Sequence, residues 1–357
     1  IQQTRFGPSS NVGGNYSFSL LSEEILVPGE GQVKALFVTA GNIVVSSPGS
    51  IRTTQALQAL DLFVALDLYV NETNKHADYV LPVATFLERD DVPLFGFPHM
   101  VRPFAQYTAA VVEPLGEARI EDDIFNDLAK RLHDRLRVEP RNSGYLRDTA
   151  FHCDAIGTVG VLLQQSNFAA SKVPGGLDEL RLAPHGIHLA DTLECSNSWS
   201  KVLHPDGRIG LWHPLLEGEF ERLAGTPPLE DGELRLFSQR TLQSINSWMH
   251  NSDRLVRSQT PTLLINSSDA GDRGIADGTD VEVCTATGSM IVPARVTDEV
   301  VRGSVCYPHG WGHAGGWRRA NATLGQNVNV LSDPSAGEAL SASALFDGIR
   351  VSVTAVD

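Results

Sequence analysis

The fold is decided by an early stretch, K-A-L-F-V-T-A-G-N at residues 34–42, in which a short apolar run ends in a glycine and an amide. Such a run predicts a buried strand, because strands covered on both faces are apolar at nearly every position. A second run, L-F-V-A-L-D at residues 62–67, follows a predicted helix that begins at Ser50, and Y-V-L-P at residues 79–82 supplies a third. Strands and helices at this spacing predict a parallel, Rossmann-like α/β unit.

Polar residues stand where the first two predicted strands end. Gly41 and Asn42 follow the first strand, and Asp67 ends the second. Ligands of parallel sheets bind at the carboxyl ends of the strands, so these positions are candidate binding residues. Gly41 would allow close backbone approach, and Asn42 offers a donor and an acceptor. We expect Asp67 to be an exposed carboxylate that matters little for folding, and a plain turn or helix cap is the structural alternative at these positions.

The remainder of the chain divides into a helical part and a strand-rich part. Residues 117–137 predict an amphipathic helix, because Ile124, Leu128, Leu132 and Leu136 recur every four residues. From about Leu234, short alternating segments predict an all-β barrel of six or seven strands, the clearest strands being 281–283, 290–296, 304–307 and 349–353. We therefore expect an α/β domain at 1–145, a connecting and covering region at 146–230, and a barrel domain at 231–357.

Composition limits the classes of partner. The net charge of −15 over 357 residues disfavours nonspecific nucleic-acid binding, which depends on Lys and Arg neutralising phosphates. The apolar runs are too short to span a bilayer, and we expect a cytoplasmic protein, with a periplasmic location left open. The four cysteines form no C-x-x-C pair, which predicts free thiols. No G-x-G-x-x-G follows a strand, which sets aside a conventional nucleotide-dependent dehydrogenase.

A family resemblance rests on several segments that occur in the same order along the chain. They are L-F-V-T-A-G-N at 36–42, D-L-Y-V-N-E-T at 67–73, H-A-D-Y-V-L-P at 76–82, L-E-R-D at 87–90, E-A-R at 117–119, R-T-L-Q-S-I-N-S-W at 240–248, S-D-A at 268–270 with G-I and D-G at 274–278, and P-H-G-W-G-H at 308–313 with N-V-N-V-L at 327–331. Together they resemble the C-terminal half of the molybdopterin oxidoreductases (dimethyl sulfoxide reductase superfamily, formate dehydrogenase-like or nitrate reductase-like). Ile43 replaces the family's usual proline. The resemblance implies a Rossmann-like parallel α/β half-domain followed by a C-terminal double-psi β-barrel.

The resemblance also implies a cofactor, molybdenum or tungsten held by bis(molybdopterin guanine dinucleotide). The residues that would contact it are strand-end groups and polar side chains of the barrel loops: Gly41, Asn42, Leu66, Asp67, Thr73, Arg89, Glu121, Arg240, Ser244, Asn246, Ser247, His309 and Asn329. Asp67 would accept two N–H bonds from a guanine edge.

Three further interpretations concern neighbouring residues. For Glu72 and Thr73, the alternative to cofactor binding is a structural role in capping the next helix. Trp248 is expected to pack more than to contact ligand. His309 and His313 have the spacing of a metal pair but no evident third ligand, so no metal site is expected.

In this family the protein ligand to molybdenum, and any [4Fe–4S] cysteines, lie upstream of the matched segments. We therefore expect no catalytic residue in this chain and an active enzyme only at full length. Its expected partners are the upstream half of the same protein, a small-molecule substrate and an electron-transfer protein. The sequence leaves the substrate open. Two alternatives remain: a non-catalytic molybdopterin-like scaffold subunit of an electron-transfer complex, and an interaction module built on the barrel.

Overall fold

The computed structural model describes residues 4–6, 16–93, 96, 100–136, 155–165, 172–190, 199, 202–212, 214–315, 317–337 and 343–356. Contacts divide the chain into two compact units, residues 1–80 with 212–357 and residues 81–211. This division differs from the boundaries expected at 145 and 230, because contacts join the first strands to the C-terminal region across a long sequence separation. No helix among the described residues is long and apolar enough to cross a membrane.

The first unit begins with a small α/β layer. Its elements are α1 (Leu21–Leu26), β1 (Ala35–Thr39), α2 (Ile43–Ser46), α3 (Ser50–Gln58), β2 (Leu62–Asp67) and β3 (Tyr79–Pro82). The sheet order is β1-β2-β3, and β1 runs parallel to β2 from the pair Ala35 and Leu62 to the pair Thr39 and Leu66. The predicted parallel pairing is confirmed for β1 and β2. Their carboxyl ends therefore meet at one edge of the sheet, which is the edge where Asn42 and Asp67 lie.

The expectation that β1 is a buried strand is wrong. Val38 is its one buried residue, whereas Phe37 is 43% exposed. The physical reason is position: β1 is an edge strand in the described sheet, and an apolar run specifies a strand without supplying its cover. In the central strand β2, by contrast, every residue from Phe63 to Asp67 is buried.

Among its described residues, the second unit has two short strands and three helices. They are β4 (Phe104–Ala105), α4 (Glu121–Leu136), α5 (Ala155–Gln165), α6 (Gly176–Arg181) and β5 (Ile187–His188). The predicted helix over 117–137 is confirmed from Glu121 onward, but Leu132 and Leu136 are 53% and 59% exposed while Ile124 is buried. Periodicity specifies an apolar face, and burial additionally needs a partner surface, which the described residues provide only near the first turn of α4.

The C-terminal part of the first unit is a closed six-stranded barrel. After α7 (Glu217–Ala224) it contains β6 (Glu233–Gln239), α8 (Asp253–Val256), β7 (Leu263–Ile265), α9 (Ser267–Asp272), β8 (Asp280–Cys284), β9 (Ser289–Val296), β10 (Ser304–Pro308) and β11 (Ile349–Ala355). The strand order is β10-β6-β11-β8-β9-β7, with β10/β6 and β7/β9 parallel. The expected barrel is confirmed. β6 and β7 were not among the strands identified from the sequence, and β7, with three residues, is too short to show a period.

Alternation along the strands builds the barrel core. Every second residue points inward and is buried, as in the pairs Leu234 and Leu236, Val281 and Val283, and Val351 and Val353. Each such side chain contributes about 1.5–3 kcal/mol on burial, so the barrel carries a large share of the stability. The thiols of Cys284 and Cys306 are free and half-buried, whereas Cys153 and Cys195 lie outside the described residues.

Candidate functional site

Strained backbone marks the candidate site. Among the described residues, three that are not glycine have left-handed φ values: Ala40 at 51°, Ile245 at 43° and Asn246 at 58°. Each such conformation costs about 1–3 kcal/mol and persists only where its surroundings enforce it. All three line recesses in the first unit.

Two recesses in the first unit contain most of the predicted site residues. The strand-end recess is lined by Ala40, Asn42, Asp67, Tyr69, Asn71, Ser247, Trp248 and Trp317. The barrel-loop recess is lined by Arg240, Thr241, Leu242, Ser244, Ile245, Asn246 and His309. The structure thus divides most of the predicted site residues between two places in the same unit.

Asn42 faces inward in the strand-end recess. Its side-chain nitrogen donates to Glu72 Oε2 at 2.5 Å and to Ser247 Oγ at 3.4 Å, and its oxygen accepts from Thr73 Oγ1 at 3.1 Å. The structure therefore brings Asn42, Thr73 and Ser247 together, as a shared site requires. Their side chains form hydrogen bonds mainly with one another and with Glu72.

Asp67 is not the exposed carboxylate that the sequence suggested. It is only 8% exposed, and it accepts from the Leu68 amide at 2.7 Å, Asn71 Nδ2 at 3.1 Å and Asn74 Nδ2 at 3.0 Å. The expectation that Asp67 matters little for folding conflicts with these bonds. A carboxylate offers about four acceptor positions, so about one is left for a ligand in the recess.

Glu72 is a buried anion that sequence analysis placed only in a motif. Its Oε1 accepts from the amides of Ala314 at 2.8 Å and Gly315 at 2.9 Å, and from Trp317 Nε1 at 2.9 Å. Burial raises the pKa of Glu72, but hydrogen bonds from His313, Trp317 and Asn42 outweigh it and bring the pKa to about 2. Glu72 is therefore charged at neutral pH and ties the segment after β2 to the segment after β10.

The capping alternative for Glu72 and Thr73 is wrong. The one-turn helix at Asn74–His76 begins without a side-chain bond from Thr73. Instead, Asn71 Oδ1 accepts from the amides of Thr73 at 2.9 Å and Asn74 at 3.0 Å. Asn71 serves the helix end, which frees Glu72 for its longer-range contacts.

Two histidines continue the network from Glu72 into the barrel loop. His313 Nδ1 lies 3.3 Å from Glu72 Oε1, and His313 Nε2 lies 2.7 Å from His250 Nδ1. His250 Nε2 lies 2.9 Å from Ser244 Oγ. Burial, followed by the nearby charge of His313, lowers the pKa of His250 to about 4. Sequence analysis missed His250, which carries no motif signal.

His309 lines the barrel-loop recess. It is buried, and neither Nδ1 nor Nε2 has a hydrogen-bond partner within the described chain. Burial, aided by the charge of Arg240, lowers its pKa to about 4, so the ring is neutral at pH 7. A neutral imidazole presents one donor and one acceptor, and leaving them unpaired costs about 1–3 kcal/mol.

The backbone around this recess is tightly held. Arg240 Nη1 donates to Asn246 Oδ1 at 2.5 Å, which fixes the left-handed turn of residues 245–246. A Cβ at Gly310 would lie 2.0 Å from the Asn246 carbonyl oxygen, so only glycine fits beside this turn. These contacts hold in place the backbone that lines the recess.

The other predicted residues have different surroundings. Leu66 is fully buried, and its carbonyl accepts from the Ala40 amide. Asn329 is buried and donates to the Val45 carbonyl at 2.6 Å. Gly41 is absent from the residues with left-handed φ, and its neighbour Ala40 takes that conformation instead.

Arg89, Glu121 and Trp248 complete the set of predicted residues. Arg89 and Glu121 form a salt bridge of 2.9 Å within the second unit. Trp248, expected mainly to pack, is 42% exposed and lines the strand-end recess.

The described part of the chain contains no group of three or more His, Cys, Asp or Glu side chains arranged to hold a metal ion. His313 uses both ring nitrogens in hydrogen bonds and so has none free to pair with His309 on a metal.

Two family profiles match the chain and cover its two ends. Residues 9–131 match the profile described as molybdopterin oxidoreductase, and residues 234–348 match the one described as molydopterin dinucleotide binding domain. The chain belongs to the molybdopterin oxidoreductases of the dimethyl sulfoxide reductase superfamily. The resemblance drawn from the sequence motifs is thereby confirmed.

Individual relatives agree with this family. The chain is 35% identical over 342 residues to the probable oxidoreductase YyaE of Bacillus subtilis, covering 93% of this chain and 47% of that protein. It is 28% identical over 303 residues to the dimethyl sulfoxide/trimethylamine N-oxide reductase of Rhodobacter capsulatus, covering 78% and 36%. The acetylene hydratase of Pelobacter acetylenicus has a similar fold, with a TM-score of 0.64, 19% identity and coverage of 94% and 46%. The chain thus spans half or less of the length of each of these curated relatives.

Proposed function

We propose that this chain is the cofactor-binding part of an enzyme that carries molybdenum on bis(molybdopterin guanine dinucleotide) and performs two-electron redox or oxygen-atom transfer on a small substrate. The observation that carries the proposal is His309, a buried and neutral imidazole that lines the barrel-loop recess and whose two ring nitrogens have no hydrogen-bond partner among the described residues. A polar ligand with both donors and acceptors would satisfy this ring, as a pterin or guanine edge does. The profile match over residues 234–348 supports the same ligand class.

The two recesses suit different parts of such a ligand. The barrel-loop recess combines the Arg240 guanidinium with the neutral His309, which suits an anionic group beside a polar ring. The strand-end recess offers Asp67, whose remaining acceptor position suits an N–H donor. The bound metal would supply the electron-transfer chemistry. The residues of this chain would bind and orient the organic part of the cofactor.

The activity of the whole protein is part of the proposal. The dimethyl sulfoxide/trimethylamine N-oxide reductase and the probable oxidoreductase are both much longer than this chain. We propose that the exposed edge at Phe37 in β1 is covered by a further part of the same protein, which would complete a Rossmann-like domain. We also propose that this part supplies the protein ligand to the metal, and that the enzyme works in the cytoplasm with a separate electron-transfer partner.

Cofactor analysis of the full-length protein, made in cells supplied with molybdate or tungstate, tests this function. We expect metal by mass spectrometry and GMP after mild acid hydrolysis, in a ratio of about two GMP per metal for a bis-dinucleotide cofactor. Protein that is folded but contains neither metal nor GMP would contradict the proposal.

That contrary result would favour the non-catalytic scaffold. One observation speaks for it: the amide of Asn42, which was expected to face the cofactor, is turned inward to Glu72, Ser247 and Thr73.

A further inference from the structure

A continuous chain of hydrogen bonds runs through the buried region between the two recesses. Four bonds join its five members: Gln259 to Ser244 at 3.0 Å, Ser244 to His250 at 2.9 Å, His250 to His313 at 2.7 Å, and His313 to Glu72 at 3.3 Å. Each hydrogen bond needs one proton. The number of protons that the five residues carry therefore decides whether all four bonds can form at once.

The residues at both ends of this five-residue chain act only as hydrogen-bond acceptors toward their neighbours in it. At one end, Gln259 Nε2 donates to the Leu255 carbonyl at 2.7 Å, which leaves Gln259 Oε1 facing Ser244 as an acceptor. At the other end, Glu72 Oε1 already accepts from the amides of Ala314 and Gly315 and from Trp317, so it carries no proton. The protons for all four bonds therefore come from the three residues in the middle.

The middle residues are one proton short if both imidazoles are neutral. Ser244 carries one proton, and the neutral rings of His250 and His313 carry one each. Three protons cannot make four hydrogen bonds, and an unmade bond in a buried place is costly. A fourth proton completes the chain and gives the two rings together one positive charge, which the Glu72 carboxylate balances.

We propose that His313 is a buried imidazolium and that, through His250, it is a positioning residue for Ser244. His313 donates from both nitrogens, to Glu72 and to His250. His250 is then the neutral Nε2–H tautomer and donates a hydrogen bond to Ser244. The Ser244 hydroxyl in turn donates a hydrogen bond to Gln259. The direction of every hydrogen bond is fixed by this one charge.

The surroundings agree with the location of the charge. Burial, followed by the charge of His313, lowers the pKa of His250 to about 4, which agrees with a neutral His250 ring. Trp317 lies edge-on to His313 with ring centroids 5.0 Å apart. Lys75 also lies at this segment, and its ammonium donates on the exposed side to the Ala314 carbonyl, 3.1 Å away.

The direction of the Ser244 hydroxyl has a consequence for ligand binding, which rests on the proposed function. The Ser244 hydroxyl donates a hydrogen bond to Gln259 and accepts one from His250, so one of its two lone pairs remains. Toward the barrel-loop recess, Ser244 can accept a hydrogen bond but cannot donate one. The ligand group beside it is therefore an N–H or O–H donor, such as a ring N–H, and not a bare phosphate oxygen.

Histidine side-chain NMR on the cofactor-free full-length protein, labelled with 15N at histidine, tests the charge directly. At about pH 8, where an ordinary histidine with a pKa near 6.5 is neutral, we expect both nitrogens of His313 to be protonated. We expect His250 to be the Nε2–H tautomer. The His313→Gln and His250→Gln variants assign the two signals. A neutral His313 at this pH would overturn the proposal.

Two variants test whether the charge on His313 depends on the whole chain of hydrogen bonds or only on its ion pair with Glu72. In Ser244→Ala or Gln259→Met the remaining bonds can all be made by neutral rings, so the imidazolium should titrate at lower pH and His250 should switch to the Nδ1–H tautomer. Ser247→Ala removes a neighbouring buried hydroxyl that accepts from Asn42 and has no hydrogen bond to either histidine ring, so it should leave both signals unchanged. An imidazolium unaffected by Ser244→Ala and Gln259→Met would refute the positioning role. Because no cofactor is needed, this result is independent of whether the proposed function holds.

Discussion

Replacing His309 with leucine separates a ligand-binding role from a structural one. In the cofactor-free protein the ring holds two unpaired polar atoms away from water, at a cost of about 1–3 kcal/mol. Leucine fills similar space without polar atoms, so the cofactor-free His309→Leu protein should be more stable by about 1–2 kcal/mol. For a chain of this size that corresponds to a rise in melting temperature of roughly 1–3 °C.

Cofactor binding should change in the opposite direction. A hydrogen bond between His309 and a charged or polar ligand is worth about 1.5–3 kcal/mol, so its loss should weaken cofactor retention by about 10-fold or more. The assay compares GMP and metal content, and their rate of loss on dilution, in wild-type and variant protein. His204→Leu is the control, since that ring is exposed and pairs with Asp206. Normal cofactor retention together with a lower melting temperature of the cofactor-free variant would refute the binding role.

The same substitution should alter the acid sensitivity of the cofactor-free protein. The pKa of His309 is about 4 in the folded state against an ordinary value of 6.5. Between these values the unfolded chain binds a proton that the folded chain does not, so the free energy of unfolding falls as the pH falls from about 6.5 to 4. His309→Leu should reduce this slope by up to about 1.4 kcal/mol per pH unit. Urea denaturation at a series of pH values measures it, and an unchanged slope would count against a depressed pKa.

Three further substitutions test other parts of the site by urea denaturation of the cofactor-free protein. Glu72→Ala should cost about 3–5 kcal/mol, because it leaves a buried network without its anion, whereas Glu299→Ala at an exposed ion pair should change stability by less than about 0.5 kcal/mol; equal effects would contradict the network. Asp67→Ala should cost about 1–3 kcal/mol, because three donors lose their acceptor, and no change would restore the expectation that Asp67 matters little for folding. Gly310→Ala should cost about 1–3 kcal/mol more than Gly278→Ala, because both have left-handed φ but only Gly310 has backbone 2.0 Å from a new Cβ; similar losses would mean that the turn at residues 245–246 can move aside.

Several features of the protein follow from the sequence alone. The apolar run at residues 62–67 specified a strand, and the alternation at residues 281–283 and 349–353 specified barrel strands, because side-chain direction in a strand repeats every two residues. The ordered motifs from residue 36 to residue 331 specified the family. These signals are local, or are sums of local signals, and need no knowledge of what lies across the chain.

The surroundings of the predicted residues required the tertiary structure. Asn42 and Asp67 were correctly placed at strand ends, but nothing in their neighbourhood showed that their polar groups would be taken up by Glu72, Asn71 and Asn74. The cover of β1 was equally undetermined, since an apolar run does not say which segment packs on it.

The charged network depends most completely on tertiary structure. Glu72 and His313 are 241 residues apart in the sequence, and His250 and His313 are 63 apart. No period or short motif relates such positions. Their partnership arises because folding removes these groups from water, and each buried donor must then find an acceptor within about 3 Å among whatever side chains the packed barrel and sheet bring alongside.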